Sequence, residues 1–147
     1  MPSVVGMAIT ISTINLWVHD QEVALDFWTN KVGFELRSDA TFPEMPGFRW
    51  LTVGPQEQPD IEIVLMTIPG APVFTQEQHD LVETAMASGL IGAVFLVTDD
   101  VRRDYEQLSA RGVEFIEKPE QRPYGIDCGF RDPSGNQIRL AQITAEF

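Results

Sequence analysis

The sequence contains two similar halves that are related by a constant spacing of 79 residues. Five pairs of positions carry the same or similar residues at this spacing, at places typical of a strand end, a helix cap, a helix end and a following strand. The pairs are Val18 and Val97, Asp20 and Asp99, Gly33 and Gly112, Glu35 and Glu114, and Leu36 and Phe115. Since one half alone could not easily bury both faces of its sheet, we expect the halves to fold against each other.

Each half has the pattern of one strand, one helix and three further strands. In the first half, alternating residues over 11–18 predict a strand, Asp20 stands where a helix cap is expected, and Gly33 stands where the helix ends. The remaining strands are predicted from Phe34 onward, over 48–53 and over 61–67. In the second half the strands are predicted over 94–98, from Val113 onward, over 125–130 and over 137–142, with Asp99 and Asp100 at the helix cap.

A further helix is predicted between the halves, over about residues 75–88. The run Thr75-Gln76-Glu77-Gln78 has the form of a capping box, and apolar residues recur behind it at helical spacing. The prediction is therefore an α+β fold made of two tandem βαβββ modules, at about 10–68 and about 92–143. We expect one domain over residues 1–147, since no linker or composition shift divides the chain.

Composition and charge exclude several classes of function. The net charge of −12 argues against nucleic-acid binding, and it favours neutral or cationic ligands unless it only keeps the surface soluble. No apolar run is long enough for a membrane span, so no membrane partner is expected. The one cysteine, Cys128, cannot form an intramolecular disulfide and fits a reducing, cytoplasmic location. It is interpreted as a small core residue and not as a nucleophile.

The tandem pattern resembles the vicinal oxygen chelate superfamily, which includes glyoxalase I, extradiol dioxygenases and bleomycin-resistance proteins. The resemblance covers about residues 10–143. It depends on Leu16-Trp17-Val18-His19-Asp20, Ala24-Leu25-Asp26-Phe27-Trp28, Val32-Gly33-Phe34-Glu35-Leu36, Val97-Thr98-Asp99-Asp100-Val101, Ala110-Arg111-Gly112-Val113-Glu114-Phe115 and, most specifically, Phe130-Arg131-Asp132-Pro133-Ser134-Gly135-Asn136. The resemblance implies that each module forms a cupped mixed sheet, and that the protein is a homodimer in which a partner often completes each cavity.

The enzymes of that superfamily hold a divalent metal in the cup with His and Glu from the first and last strands of each module. The corresponding positions here are Thr13, Glu62, Gly92 or Ala93, and Arg139. A divalent ion needs three or four His, Asp or Glu donors, and a fixed positive charge repels it. No metal and no other cofactor is therefore expected. Arg139 and Glu62 are predicted either to form an ion pair across the cup or to point to ordinary surface.

The inward positions of the predicted strands are aromatic and apolar, which is typical of a wall that binds flat ligands. The candidate ligand-binding residues are Asn15, Trp17, Phe42, Phe48, Trp50, Glu62, Val64, Met66, Phe95, Tyr124, Phe130 and Arg139. Phe42 and Phe48 are predicted to lie at the mouth of the cavity, and Tyr124 is either a wall residue or a turn anchor. The alternative interpretation is that the apolar members simply pack the core.

The favoured hypothesis is metal-independent binding and sequestration of a bulky, partly aromatic small molecule, such as an aromatic or peptide antibiotic. The alternative is a metal-dependent glyoxalase-like or dioxygenase-like enzyme, with a displaced metal site that includes Glu62, His19 or His79. A third hypothesis is metal-free acid–base catalysis by Glu62 in an apolar cup, where burial would raise the pKa of its carboxyl.

Overall fold

Within residues 8–146, eight strands and two helices form two βαβββ runs and a third helix lies between the runs, which confirms the α+β prediction. The computed structural model describes residues 8–146, except the side chain of Ala93, so the ends of the predicted domain, 1–7 and Phe147, lie outside it. The elements are β1 (Thr13–Val18), α1 (Gln21–Asp26) with a π-helical turn (Phe27–Lys31), β2 (Glu35–Thr41), β3 (Arg49–Gly54), β4 (Glu62–Thr67), α2 (Gln76–Ala87), β5 (Gly92–Val97), α3 (Val101–Ala110), β6 (Phe115–Arg122), β7 (Gly125–Arg131) and β8 (Gln137–Ile143).

Each module forms its own four-stranded mixed sheet. The strand orders are β1-β4-β3-β2 and β5-β8-β7-β6, so the first and last strands of each module are neighbours. These neighbours run parallel, and the other pairs are antiparallel. The two sheets therefore have the same topology, as the internal repeat predicts. Within the described residues, no helix is long and apolar enough to cross a bilayer.

The helix of the first module contains one residue more than its counterpart. Both helices end at a glycine with a φ of +95°, Gly33 and Gly112, but they are capped by Asp20 and by Asp100. The turn Phe27–Lys31 takes up the extra residue, because the Val32 N–H donates to the Phe27 carbonyl five residues back. The second cap is thus Asp100, and Asp99 lies before it.

The helix between the modules begins as predicted. Thr75 caps α2, and its hydroxyl accepts from the Gln78 N–H while the Gln78 side chain accepts from the Thr75 N–H. The apolar side of α2 buries Met86 completely, whereas Leu81 is largely exposed. One turn of α2 therefore anchors the helix to the rest of the protein.

The two modules share one hydrophobic core. One face of each sheet and the buried sides of α1 and α3 contribute to it, so the opposite faces of both sheets point away from it. Phe130 of β7 lies at its centre, with ring centroids 6.1 Å from Phe27 and 5.3 Å from Phe115. Aromatic contacts thus join the first module to the second.

The turn between β7 and β8 ties the modules together by hydrogen bonds. Asp132 accepts from the backbone N–H groups of Ser134 and Asn136, at 3.0 and 2.8 Å. Asn136 in turn donates to the Trp17 carbonyl at 2.8 Å, and the His19 N–H donates to Ser134 Oγ at 3.0 Å. The segment that is most specific for the family resemblance therefore holds the end of β1 in place.

Candidate functional site

The side of the first sheet that points away from the core carries half of the predicted ligand-binding residues. In the pairing of β1 with β4, Asn15 lies beside Val64, Trp17 beside Met66 and Thr13 beside Glu62. These residues alternate with core residues such as Leu16 and Val18. We call this surface face one; it consists of Asn15, Trp17, Trp50, Thr52, Glu62, Val64 and Met66.

Face one is apolar and aromatic, with a single carboxylate. Trp17, Trp50 and Met66 are half-buried, Val64 is buried, and Asn15 is exposed at the end of the face. The buried Thr52 hydroxyl donates to Glu62 Oε1 at 2.6 Å, which fixes the carboxylate against the sheet. The geometry suits an apolar ligand with a polar group directed at Glu62.

Phe74 extends face one and was not among the predicted site residues. It lies in the segment between β4 and α2, and its ring meets the Trp17 ring edge-on, with centroids 5.6 Å apart. The only signal in the sequence is that an aromatic residue stands in an inserted segment. The contact orients Trp17 from one side and leaves the rest of its ring half-buried.

The predicted mouth residues lie together at the end of the β2–β3 hairpin. The rings of Phe42 and Phe48 are 6.3 Å apart, and 45% of Phe42 is exposed. Phe48 lies just before β3, and Trp50 of β3 pairs with Ala40 of β2. This aromatic pair therefore continues the strand that brings Trp50 to face one.

The second sheet also has an open side, which differs from face one in being charged. We call it face two; it consists of Phe95, Val97, Glu117, Asp127, Gly129 and Arg139. A cavity of about 630 Å³ opens on it, lined by Phe95, Tyr124, Asp127 and Arg139 among other residues of the second module. Phe95 is 86% exposed, so apolar surface is available there.

The charged side chains on face two are paired with one another. Arg139 pairs with Glu117 and with Asp127, at 2.7 Å for the latter, and the Tyr124 hydroxyl donates to Asp127 at 2.9 Å. Burial alone would raise the pKa of Asp127, but the hydrogen bonds from Arg139 and Tyr124 together hold it below its usual value. The hydrogen bond to Asp127 raises the pKa of Tyr124. Tyr124 lines this cavity, and its hydroxyl is held there by the hydrogen bond to Asp127.

Within one chain the ion pair between Arg139 and Glu62, one of two alternatives for these residues, does not form, because the partners of Arg139 lie in its own sheet and Glu62 is held by Thr52 on face one. The expectation for Phe130 was wrong. Phe130 does not face the cavity, because it pairs with Ile138 and is fully buried on the core side of its sheet. Cys128 lies on that same side, and burial raises the pKa of its thiol to about 11, as fits a core residue.

The match to a protein-family model identifies the family. Residues 10–140 match the Glyoxalase/Bleomycin resistance protein/Dioxygenase superfamily, and the chain belongs to it. A curated protein of Shewanella frigidimarina (strain NCIMB 400), named only as uncharacterized, is 34% identical and covers 91% of this chain and 93% of its own.

Two similar solved structures are UcmS2 and TnmS3. UcmS2 is 39% identical with a TM-score of 0.83, over 92% of this chain and 98% of its own. TnmS3, described as an antibiotic binding protein from Streptomyces sp. CB03234, is 32% identical with a TM-score of 0.72, over 94% and 99% of the two chains.

The residues at the metal-ligand positions of the superfamily do not fit a divalent ion. Glu62 is a suitable donor, but Thr13 is a poor one, Gly92 has no side chain, and Arg139 brings a positive charge. Among residues 8–146, no three His, Cys, Asp or Glu side chains are grouped so that they could hold a metal. His19 and His79 line a common cavity of about 350 Å³ beside Glu83, whereas Glu62 belongs to face one.

Proposed function

We propose that this protein binds and sequesters a bulky, partly aromatic small molecule, of the antibiotic type, without a metal. The observation that carries the proposal is face one, where two half-buried tryptophans lie on an apolar sheet that points away from the core. The description of TnmS3 as an antibiotic binding protein supports the choice of ligand class.

The composition of the open faces suits strong binding without chemistry. Each aromatic stack on Trp17, Trp50 or Phe74 contributes about 1 kcal/mol beyond the burial of apolar area. The 630 Å³ cavity on face two lies in the range of about 300–1,000 Å³ that holds drug-sized ligands. Glu62 and the polar groups around Arg139 would orient such a ligand.

A ligand titration tests the proposal through the intrinsic tryptophan fluorescence. We expect polycyclic or peptide antibiotics to quench or shift this fluorescence, and Trp17→Ala to weaken the binding by about tenfold to a hundredfold, as for a central aromatic contact. The matched control is Trp28→Phe. Since Trp28 is fully buried in the core, this substitution should leave the affinity for the ligand unchanged.

Two results would contradict the proposal. One is that no antibiotic in the panel changes the fluorescence of the wild type. The other is stoichiometric zinc, iron, nickel or manganese in protein purified without chelator, which would favour the enzyme alternative.

We also propose that the protein is a homodimer in which two chains complete two binding cups. Faces one and two of a single chain both point away from the shared core. In the proposed dimer each face forms one wall of a binding cup. A twofold arrangement places face one of each chain opposite face two of the other, with Phe95 facing the cup between them, and covers the exposed Val97 at the end of the edge strand β5.

The mass in solution tests this arrangement. Sedimentation equilibrium should give about twice the 16.5 kDa of one chain. Val97→Asp should give a monomer, because an unpaired charge would be buried in the interface. Leu81→Asp, on the exposed side of α2, should leave the mass unchanged. A monomeric wild type, or a Val97→Asp protein of unchanged mass, would contradict the proposed dimer.

A further inference from the structure

Four residues form a single row across the whole width of face two. Glu117 of β6 pairs with Gly129 of β7, Gly129 pairs with Arg139 of β8, and Arg139 pairs with Phe95 of β5. Paired positions in neighbouring strands project to the same side of a sheet. The row therefore presents a carboxylate, a gap, a guanidinium and a phenyl ring in that order.

The gap at Gly129 positions the guanidinium. A Cβ atom at position 129 would overlap the Nη1 of Arg139, so the guanidinium occupies the space that a side chain of β7 would fill. From there it reaches Glu117 on the strand beyond, while its other terminal nitrogen is 2.7 Å from Asp127. The guanidinium is thus fixed at both terminal nitrogens and lies across the sheet.

The ion pairs make this arginine a poor receptor for an anion. Two carboxylates already pair with it, and the hydrogen bonds from Arg139 and Tyr124 hold the pKa of the Asp127 carboxyl below its usual value. Nearby, Arg122 lies between Glu117 and Glu120, at 3.6 and 3.4 Å. The three carboxylates outnumber the two guanidinium groups, so an anionic ligand would meet net negative charge.

What this arrangement offers a ligand is a planar cation beside an exposed phenyl ring. The Arg139 side chain is 26% exposed, and Phe95 next to it is 86% exposed. Guanidinium planes stack on aromatic rings, and a guanidinium that is already ordered loses little side-chain entropy when a ring covers it.

We infer that Arg139 is a specificity-determining residue, a platform on which a neutral, planar conjugated ring of the ligand stacks beside Phe95. This inference rests on the proposed binding function and narrows its ligand class. The charge of the ligand is the distinguishing property, since a carboxylated form of the same ring should be rejected.

Three pyrene derivatives test the preference with one ring and three charges. Pyrenemethanol is neutral, pyrenecarboxylate is an anion and pyrenemethylammonium is a cation, and each accepts energy from excited tryptophan. We expect pyrenemethanol to bind the wild type about tenfold more tightly than pyrenecarboxylate, because the carboxylate meets Glu117, Glu120 and Asp127. Pyrenemethylammonium should also bind more tightly than pyrenecarboxylate, because the same carboxylates attract its charge, and weaker binding of the cation than of the anion would contradict the role of these carboxylates.

Two variants test the role of Arg139 itself. Arg139→Lys keeps the charge but loses the planar group, and Gly129→Ala keeps the arginine but displaces its guanidinium. Each should weaken pyrenemethanol binding by about tenfold. The control is Arg103→Lys on α3, which also bridges two carboxylates but lies on exposed surface, and it should change nothing. Far-UV circular dichroism verifies that each variant is folded.

The outcomes separate this inference from the proposed function. Equal pyrenemethanol affinity in the wild type and in Arg139→Lys would overturn the role of Arg139 and leave the binding function standing. Tighter binding of pyrenecarboxylate than of pyrenemethanol would overturn the preference for neutral rings. Failure of all three pyrenes and of the antibiotic panel to bind the wild type would contradict both proposals.

Discussion

Phe130→Ala is expected to lower the free energy of unfolding by about 3–5 kcal/mol, the usual cost of truncating a buried phenylalanine. Phe130 is fully buried, and it contacts Phe27 of the first module as well as Phe115 of its own. Removal of the Phe130 ring would therefore leave an empty space where the two modules meet. Urea unfolding followed by far-UV circular dichroism measures the loss, which is a large part of the roughly 5–15 kcal/mol that holds a domain together.

The same substitution at an exposed phenylalanine is the control. Phe42 is 45% exposed on the β2–β3 loop, so Phe42→Ala should cost less than about 1 kcal/mol. If both variants unfolded at the same urea concentration, Phe130 would not be a core residue, and its earlier interpretation as a ligand contact would regain support.

Gly135→Ala is expected to cost about 3 kcal/mol or more, because two penalties combine at this position. The residue has a φ of +94°, which is unfavourable for any residue with a side chain. In addition, a Cβ atom there would overlap the carbonyl oxygen of Met86 in α2. A backbone oxygen in a helix cannot move aside cheaply, so the turn or the helix must shift.

The substitution Gly47→Ala is the control, because it carries the conformational penalty without the steric one. The φ of Gly47, +82°, is similar, but a Cβ atom there would meet nothing within 4 Å. Gly47→Ala should therefore cost only the conformational part, about 1–2 kcal/mol. Thermal unfolding of both variants measures the difference. Equal losses would mean that the contact between α2 and the β7–β8 turn does not constrain the fold.

The repeat allowed the fold and much of face one to be predicted from sequence. Gly33 and Gly112 marked both helix ends, and alternation in β1 separated Asn15 and Trp17 from the core residue Leu16. Such alternation is informative only where one side of a strand is apolar and the other is not. The first strand meets this condition.

The same reasoning failed in β7 because both sides of that strand are buried. Only Arg131 at its end is exposed, and Gly129 places no side chain on the open side. Nothing in the pattern therefore shows which side Phe130 takes. The partners of Arg139 could not be predicted from the sequence either, because pairing with Glu117 depends on strand register and on the absence of a side chain at Gly129.

The widened π-helical turn has a consequence for how the two halves should be aligned. Module two has one residue more between its first strand and its helix cap, and module one has one residue more between cap and glycine. The two differences cancel, so a constant offset of 79 fits both ends of the segment yet misassigns the helix between them by one position. A structure-based alignment needs two compensating gaps, and with them Asp20 is equivalent to Asp100.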